Sequence, residues 1–482
     1  MRPEYWRGHE TGGEIKSIRN LAFATNGEVF TKKIKPNKDG YQVEFIVQAG
    51  EDTAITLHIS PEMNLWHPVL PFSESSKAAE IRWRNWVDQI PKVMDQYRLK
   101  YAYAWWTMAN NLVSPMGKVA YEAMMPSKNM YIGLWLRDYA LHALAHQLPD
   151  GILPDAIFDD GIVAEIDHPI RAEVTKPPIL AWAALKIHEI APDVEFLKEI
   201  YVPLVRWNAW WFSMNDDDVD GLVQYNHPYS SGLDDSPLWD QGMPVASPDL
   251  NTYLCIQMGS LARMAEILEM PDEAQMWRRR AAGIVKCMIE DFCDEAAGIF
   301  RALYENRPIS TVTPFNLCPL WTGQLPDAIR SALLDHLTNP NEFWGEFALP
   351  TVARSDPAYN PETMWRGPVW ANINYFFIKV LQQIREFDVA RELREKTLQM
   401  IIAQPGMYEY YHVETSAPPP KAAPTFGWTA AVFIDLAIQA SREGGIDANV
   451  QQEEKKGHSV PCQWSLPKVY DYGQKRGYKC DW

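Results

Sequence analysis

From Asp95 to about Ser441 the apolar residues keep helical spacing almost without interruption, in segments such as Asp138 to Gln147, Pro178 to Ile190, Leu250 to Leu268, Asp272 to Phe292, Val369 to Phe387 and Thr429 to Ala440. Loops rich in Gly, Pro and Asp separate them. A stretch of about 350 residues, cut into segments of roughly 30 residues with their loops, holds around a dozen helices. That count suits an (α/α)6 toroid of helical hairpins and exceeds a four-helix bundle. No G-x-G-x-x-G or Walker sequence interrupts the pattern, so nucleotide-binding α/β folds have no support.

A different period precedes the helices. Val43, Phe45 and Val47 alternate with polar neighbours, and Ile55, Leu57 and Ile59 repeat the alternation after a turn at Ala49–Asp52. The break Asn37-Lys38-Asp39-Gly40 reads as a hairpin turn. A small antiparallel β unit of three or four strands is expected, followed by a Pro-containing loop and a helix capped at Ser75 or Ser76. The segment from Gly444 onward, with Gln451-Gln452-Glu453-Glu454-Lys455-Lys456, is polar and reads as a weakly ordered tail. The expected domains are therefore 1–75, 76–443 and 444–482.

The chain has 482 residues and a formal net charge of -17, which disfavours nucleic acid and anionic membranes as partners. A small, neutral or locally recognised ligand fits better. No apolar stretch of membrane-spanning length occurs and the N-terminus has no apolar signal core, so the expectation is a soluble cytoplasmic protein. Oligomeric state is left open. The six cysteines lack C-x-x-C spacing, so no zinc ribbon is indicated; Cys462 and Cys480 are the one candidate pair. Aromatic residues make up 12% of the chain, with 20 Trp. Many must be core, but Trp and Tyr interleaved with carboxylates in loops are what a sugar pocket needs: pyranose C–H faces pack on rings and hydroxyls bond to acids.

Four segments carry that combination. Asn226 to Asp240 places Asp234, Asp235 and Asp240 in a Gly/Ser/Pro loop with Trp239, either a binding loop or an Asx-rich turn. Gly406 to His412 sets Glu409 among Tyr408, Tyr410 and Tyr411, suited to holding a water above a sugar or to a plain surface position. Met364 to Tyr375 contains Trp365, Arg366 and Trp370 before a helix with Pro near its first position. Leu134 to His142 contains Trp135 and Asp138; His142 falls four residues after Asp138, but no further ligand stands at metal spacing. Asp216-Asp217-Asp218-Val219-Asp220-Gly221 imitates a calcium loop, yet His227 occupies the position of the bidentate Glu, and an Asp-rich turn is the preferred reading. No cofactor or metal is expected.

Taken in order, these segments resemble glycoside hydrolase family 63, the inverting α-glucosidase family that includes glycan-processing glucosidase I and bacterial mannosylglycerate and glucosylglycerate hydrolases. The resemblance runs from about Trp105 to Ala437. It rests on Trp135-Leu136-Arg137-Asp138, Thr175-Lys176-Pro177-Pro178, Ser231-Gly232-Leu233-Asp234-Asp235 through Asp240, Pro248-Asp249-Leu250-Asn251, Trp365-Arg366-Gly367-Pro368-Val369-Trp370, and Glu409-Tyr410-Tyr411 with Phe426-Gly427-Trp428-Thr429.

The resemblance implies an (α/α)6 barrel, with a β-sandwich-like N-terminal unit before it. It implies Asp234 as general acid and Glu409 as general base, hydrolysing a terminal α-linked glucose or mannose from a small glycoside. Asp235 and Asp240 stand near enough in sequence to raise the acid's pKa. Trp135, Asp138, Lys176, Gly232, Trp239, Asp240, Trp365, Arg366, Trp370, Tyr410, Tyr411 and Trp428 become the walls that grip the sugar. Departures around Leu136–Tyr139 and His412–Lys421 fall where the leaving group would bind, so the aglycone is not implied. The other readings are a trehalase-like or other (α/α)6 carbohydrate-active enzyme, and a sugar-binding homologue that has lost its chemistry.

Overall fold

The computed structural model describes residues 72–446 apart from 129, 130, 132 and 136–143, together with six strands between residues 5 and 60. The chain divides into two compact units, one of residues 1–92 with 449–482 and one from Val93 to Ala448. Expectations for Asp138, the Cys462–Cys480 pair and most of the polar tail lie outside the described residues.

In the first unit, β1 (Tyr5–His9), β2 (Gly12–Lys16), β3 (Leu21–Thr25) and β6 (Leu57–Ser60) form an antiparallel sheet in the order β1-β2-β3-β6. β4 (Phe30–Asn37) and β5 (Gly40–Ile46) form a hairpin in which Asn37 faces Gly40, the register the Asn-Lys-Asp-Gly turn dictates. β1 to β3 are short, and β2 opens on two glycines, so they left no clear alternation in the sequence. Helix α1 (Phe72–Val87) belongs to this unit and starts before Ser75 and Ser76, which lie within its opening residues.

The second unit is mainly helical. Its helices are α2 (Asp95–Asn111), α3 (Leu180–Ile190), α4 (Val194–Met214), α5 (Pro248–Ile267), α6 (Pro271–Asp291), α7 (Asp327–Leu337), α8 (Ala371–Gln383), α9 (Phe387–Ile402) and α10 (Gly427–Glu443). Local chemistry sets their starts. Asp193 accepts from the Phe196 N–H at 3.0 Å to cap α4, and Pro248 and Pro271 open α5 and α6 where a helix needs no N–H partner.

The helices pack as successive pairs: α3 with α4, α5 with α6, α8 with α9. α5 is buried along most of its length, and the polar side chains it carries inside, among them Asp249, Asn251 and Gln257, are hydrogen-bonded there. The last helix returns to the first of the unit: α10 packs on α2, where Tyr97 meets Phe433 edge-on at 6.4 Å and the Met94 N–H donates to Ser441 Oγ at 2.9 Å. Much of the tryptophan surplus is core. Trp207, Trp210 and Trp211 of α4 are each at most 2% exposed. No described helix is long and apolar enough to cross a membrane.

Candidate active site

The loop bearing Asp234 is folded by its own side chains. His227 is buried and caps a one-turn helix at Pro228–Ser231, its Nδ1 accepting the Tyr229 N–H at 3.0 Å. Gly232 ends that turn at φ 70°, a left-handed conformation that glycine adopts without strain. Ser231 Oγ then accepts the Leu233 N–H at 2.9 Å, and the buried Trp239 indole N–H donates to the Leu233 carbonyl at 2.7 Å. Trp239 thus holds the loop from behind, and Asp234 stands exposed at its tip.

The neighbouring acids face elsewhere. Asp235 Oδ1 accepts the Trp365 N–H at 2.9 Å, and Asp240 is paired through both oxygens with the Arg366 guanidinium, one contact being 3.1 Å. Burial pushes the Asp235 carboxyl up, opposed by the Trp365 N–H and the Arg366 charge. The two acids therefore fasten the Asp234 loop to the segment that begins at Trp365.

That segment does not open a helix at Pro368. Val369 is spent in a β-bridge with Tyr411, its N–H donating to the Tyr411 carbonyl at 2.7 Å and the Tyr411 N–H returning at 2.9 Å, so α8 starts only at Ala371. The bridge sets the aromatic wall. Trp365 and Trp370 stack at 3.7 Å with rings 10° apart, and Trp370 lies 5.2 Å from Tyr410 and 6.2 Å from Trp428.

Glu409 precedes the bridged residues. Its N–H donates to the Ala423 carbonyl at 2.9 Å, its Oε2 accepts the Ala423 N–H at 3.2 Å, and its Oε1 accepts the Tyr131 hydroxyl at 2.5 Å. The residue is 3% exposed. Burial pushes its carboxyl up to about 7; the Tyr131 and Ala423 hydrogen bonds pull it down, and the Asp234 charge adds to the rise.

Asp234 and Glu409 line one cleft of about 480 Å³, its open mouth included. Lys176, Gly232, Trp365, Trp370 and Trp428 line it too, along with Pro126, Tyr131, Met364 and Phe426. Lys176 is nearly buried: its Nζ lies 2.7 Å from Asp155 Oδ1 and donates to the Tyr229 carbonyl at 2.6 Å. Asp240, Arg366, Trp239, Tyr410 and Tyr411 are not among the residues that line the cleft; Trp239, Tyr410 and Tyr411 are buried, whereas Asp240 is exposed. Trp135 lies in a short strand paired with Ala156, next to Asp155 in the chain.

Tyr131, Asp155 and Pro126 carried no signal in the sequence, because Pro126 and Tyr131 come from the connection before the strand at Leu134–Trp135, Asp155 from a later one, and none belongs to a patterned segment. Met364 opens one of those segments and Phe426 stands in the Phe426-Gly427-Trp428-Thr429 motif, but neither was singled out as a site residue. The calcium-like loop brings Asp216, Asp218 and Asp220 within 4.8 Å of one another, but His227 caps a helix instead of completing it.

Residues 134–429 match the model of the mannosylglycerate hydrolase MGH1-like glycoside hydrolase domain. The chain belongs to that family. It is a glycoside hydrolase of family 63, acting on O-glycosyl bonds, in the branch that holds the bacterial mannosylglycerate and glucosylglycerate hydrolases. It is 24% identical over 407 residues to mannosylglycerate hydrolase of Thermus thermophilus, covering 64% of this chain and 95% of that one. It is 24% identical over 385 residues to glucosylglycerate hydrolase of Mycolicibacterium hassiacum, covering 61% and 84%. The crystal structure of a family 63 mannosylglycerate hydrolase from Thermus thermophilus, in complex with Tris, superposes with a TM-score of 0.59 at 22% identity, over 69% of this chain and 98% of that one.

Proposed function

We propose that this glycoside hydrolase is an exo-acting, inverting α-glycosidase that removes a terminal α-linked glucose or mannose from a small glycoside, with Asp234 as general acid and Glu409 as general base. The helices of the second unit are taken to close as an (α/α)6 toroid around the cleft, in line with the return of α10 to α2. One observation carries the catalytic assignment: an exposed and a buried carboxylate face a single aromatic-walled cleft.

Inversion needs a proton donor at the glycosidic oxygen and a carboxylate that activates water on the other face of the ring. Asp234, at the tip of a loop and open to the mouth, is placed for the leaving oxygen. A sugar covering it excludes water, and exclusion of water favours the neutral form of a carboxyl. Glu409, buried in the wall, keeps both oxygens oriented by Tyr131 and Ala423. Each carboxylate oxygen has a further lone pair for a water. As the water attacks the anomeric carbon, its proton passes to Glu409, the glycosidic bond breaks, and Asp234 protonates the departing oxygen. The half-buried Trp428 presents its ring to the pyranose, backed by the buried, mutually stacked Trp365 and Trp370. Asp138 and Trp135 are assigned to the same sugar by resemblance.

The mannosylglycerate and glucosylglycerate hydrolases among the relatives favour a glycosylated small acid as substrate. A panel of α-glucosides, α-mannosides, trehalose, glucosylglycerate and mannosylglycerate tests this, with Asp234→Asn and Glu409→Gln each abolishing turnover. A reversed assignment draws on the raised pKa of Glu409. It is separated by substrates with good leaving groups, such as dinitrophenyl glycosides, which need no acid. Asp234→Asn should retain activity on them and Glu409→Gln should not; the opposite pattern would exchange the roles.

A further inference from the structure

We infer that Tyr131 is a positioning residue for this reaction, which holds the Glu409 carboxylate in place and keeps it available as a base. The inference rests on the assignment of Glu409 proposed above. Its carrying observation is geometric: within a cleft that includes Asp234, the Tyr131 hydroxyl sits 2.5 Å from Glu409 Oε1.

The direction of that hydrogen bond is fixed. Burial, and then the adjoining Glu409 and Asp234 carboxylates, push the Tyr131 phenol far above the range in which it ionises, so it stays protonated wherever the protein is folded. A protonated phenol beside an ionised carboxylate donates, and a bond to a charged acceptor is stronger than one to a neutral carboxyl. Tyr131 therefore favours ionised Glu409, the form that can accept a proton from water. It works against the burial that favours the neutral form. Asp234 faces the same pair and opposes ionisation; the Ala423 N–H assists it; Tyr410, whose own phenol is pushed up by burial and by Glu409, adds no cation. Lys176 also faces the cleft, but its charge is met by Asp155.

Orientation is the second effect. With Oε1 held by Tyr131 and Oε2 by Ala423, the carboxylate plane cannot rotate, and a base that is fixed before the substrate arrives loses no time or entropy in alignment. The Tyr131 ring rests edge-on against Phe426 at 5.9 Å, which keeps the phenol in position and would keep a phenylalanine there too.

The test is Tyr131→Phe, with kcat and KM measured from about pH 5 to about pH 9 on the substrate that the panel selects. The expected result is an acid-side limb of kcat moved upward by about one unit. This is a loss of just under about tenfold near pH 6 that shrinks at higher pH, with KM changed by less than about threefold. A thermal melt of the variant checks the fold. A uniform loss at every pH overturns the claim that Tyr131 keeps Glu409 available as a base, and a uniform loss with a lowered melting point overturns the whole inference in favour of a purely structural role. A raised KM with unchanged kcat overturns it in favour of a sugar contact. Glu409→Gln measured alongside separates the two levels: an active Glu409→Gln defeats the base assignment itself, whereas an inactive one with an unshifted Tyr131→Phe profile defeats only the role of Tyr131.

Discussion

The Tyr131 hydroxyl lies 2.5 Å from Glu409 Oε1, joining a residue from a loop after α2 to one in the segment before α10. Nothing in the sequence links them. The contact is made because α10 packs on α2, so the loop that follows α2 and the one that leads into α10 come to one cleft.

The acid-side limb of kcat/KM should lie near pH 7. Glu409 has an ordinary value of 4.5 and is pushed up to about 7, and a general base must be ionised, so activity rises as pH increases through that value. A pH–rate profile checks this; a limb near 4.5 would mean that the limiting carboxylate is not Glu409.

Glu409→Gln should remove turnover and stabilise the protein at alkaline pH. The native state keeps the Glu409 proton up to about 7 whereas the unfolded chain gives it up near 4.5, so stability falls as pH rises across that window and stays lower above it. Removing the charge should return about 1 to 3 kcal/mol above pH 7 and little near pH 4, because the Gln amide faces two donors and recovers only part of the gain. Melting curves of both proteins at the two pH values give the answer.

The Asp155–Lys176 pair should be required for folding stability. Both side chains are under 10% exposed at 2.7 Å separation, and deleting the acid leaves a buried ammonium without its counter-charge. Asp155→Ala should cost about 3–5 kcal/mol, seen as a lowered unfolding midpoint. A neutral result would mean that Lys176 reaches water.

Asp235 should matter as an acceptor more than as a charge. Its Oδ1 takes the Trp365 N–H at 2.9 Å, fixing the Asp234 loop to the aromatic wall. Asp235→Asn keeps a carbonyl there and should lower kcat/KM by less than about threefold, whereas Asp235→Ala should lower it by about tenfold. Equal losses in both variants would point to the charge.

Trp428→Ala should raise KM by about tenfold with a smaller change in kcat, since a half-buried ring at the cleft wall binds ground state and transition state alike. A fall in kcat at constant KM would place Trp428 in the chemistry.

The helical part of the fold was legible because each long segment repeats its apolar face every turn, and α3, α5, α6 and α10 begin and end within a few residues of the periodic runs. The aromatic and acidic segments were legible for the same site because each is a run of patterned residues. The limits show at Asp240 and Arg366. The resemblance assigns both to the sugar, and no local pattern foretold that they pair with each other, or that Lys176 pairs with Asp155 from an apolar stretch. Val369 shows a second limit: its isolated bridge to Tyr411 joins two segments far apart in the chain, and that pairing, invisible locally, delays the start of α8.

The most direct test of the account is the anomer released first. With an α-linked glucoside or mannoside that the enzyme turns over, proton NMR within the first turnovers should show the β-anomer, formed by water activated at Glu409 while Asp234 protonates the departing oxygen on the opposite face. Release of the α-anomer would contradict the assignment of the pair.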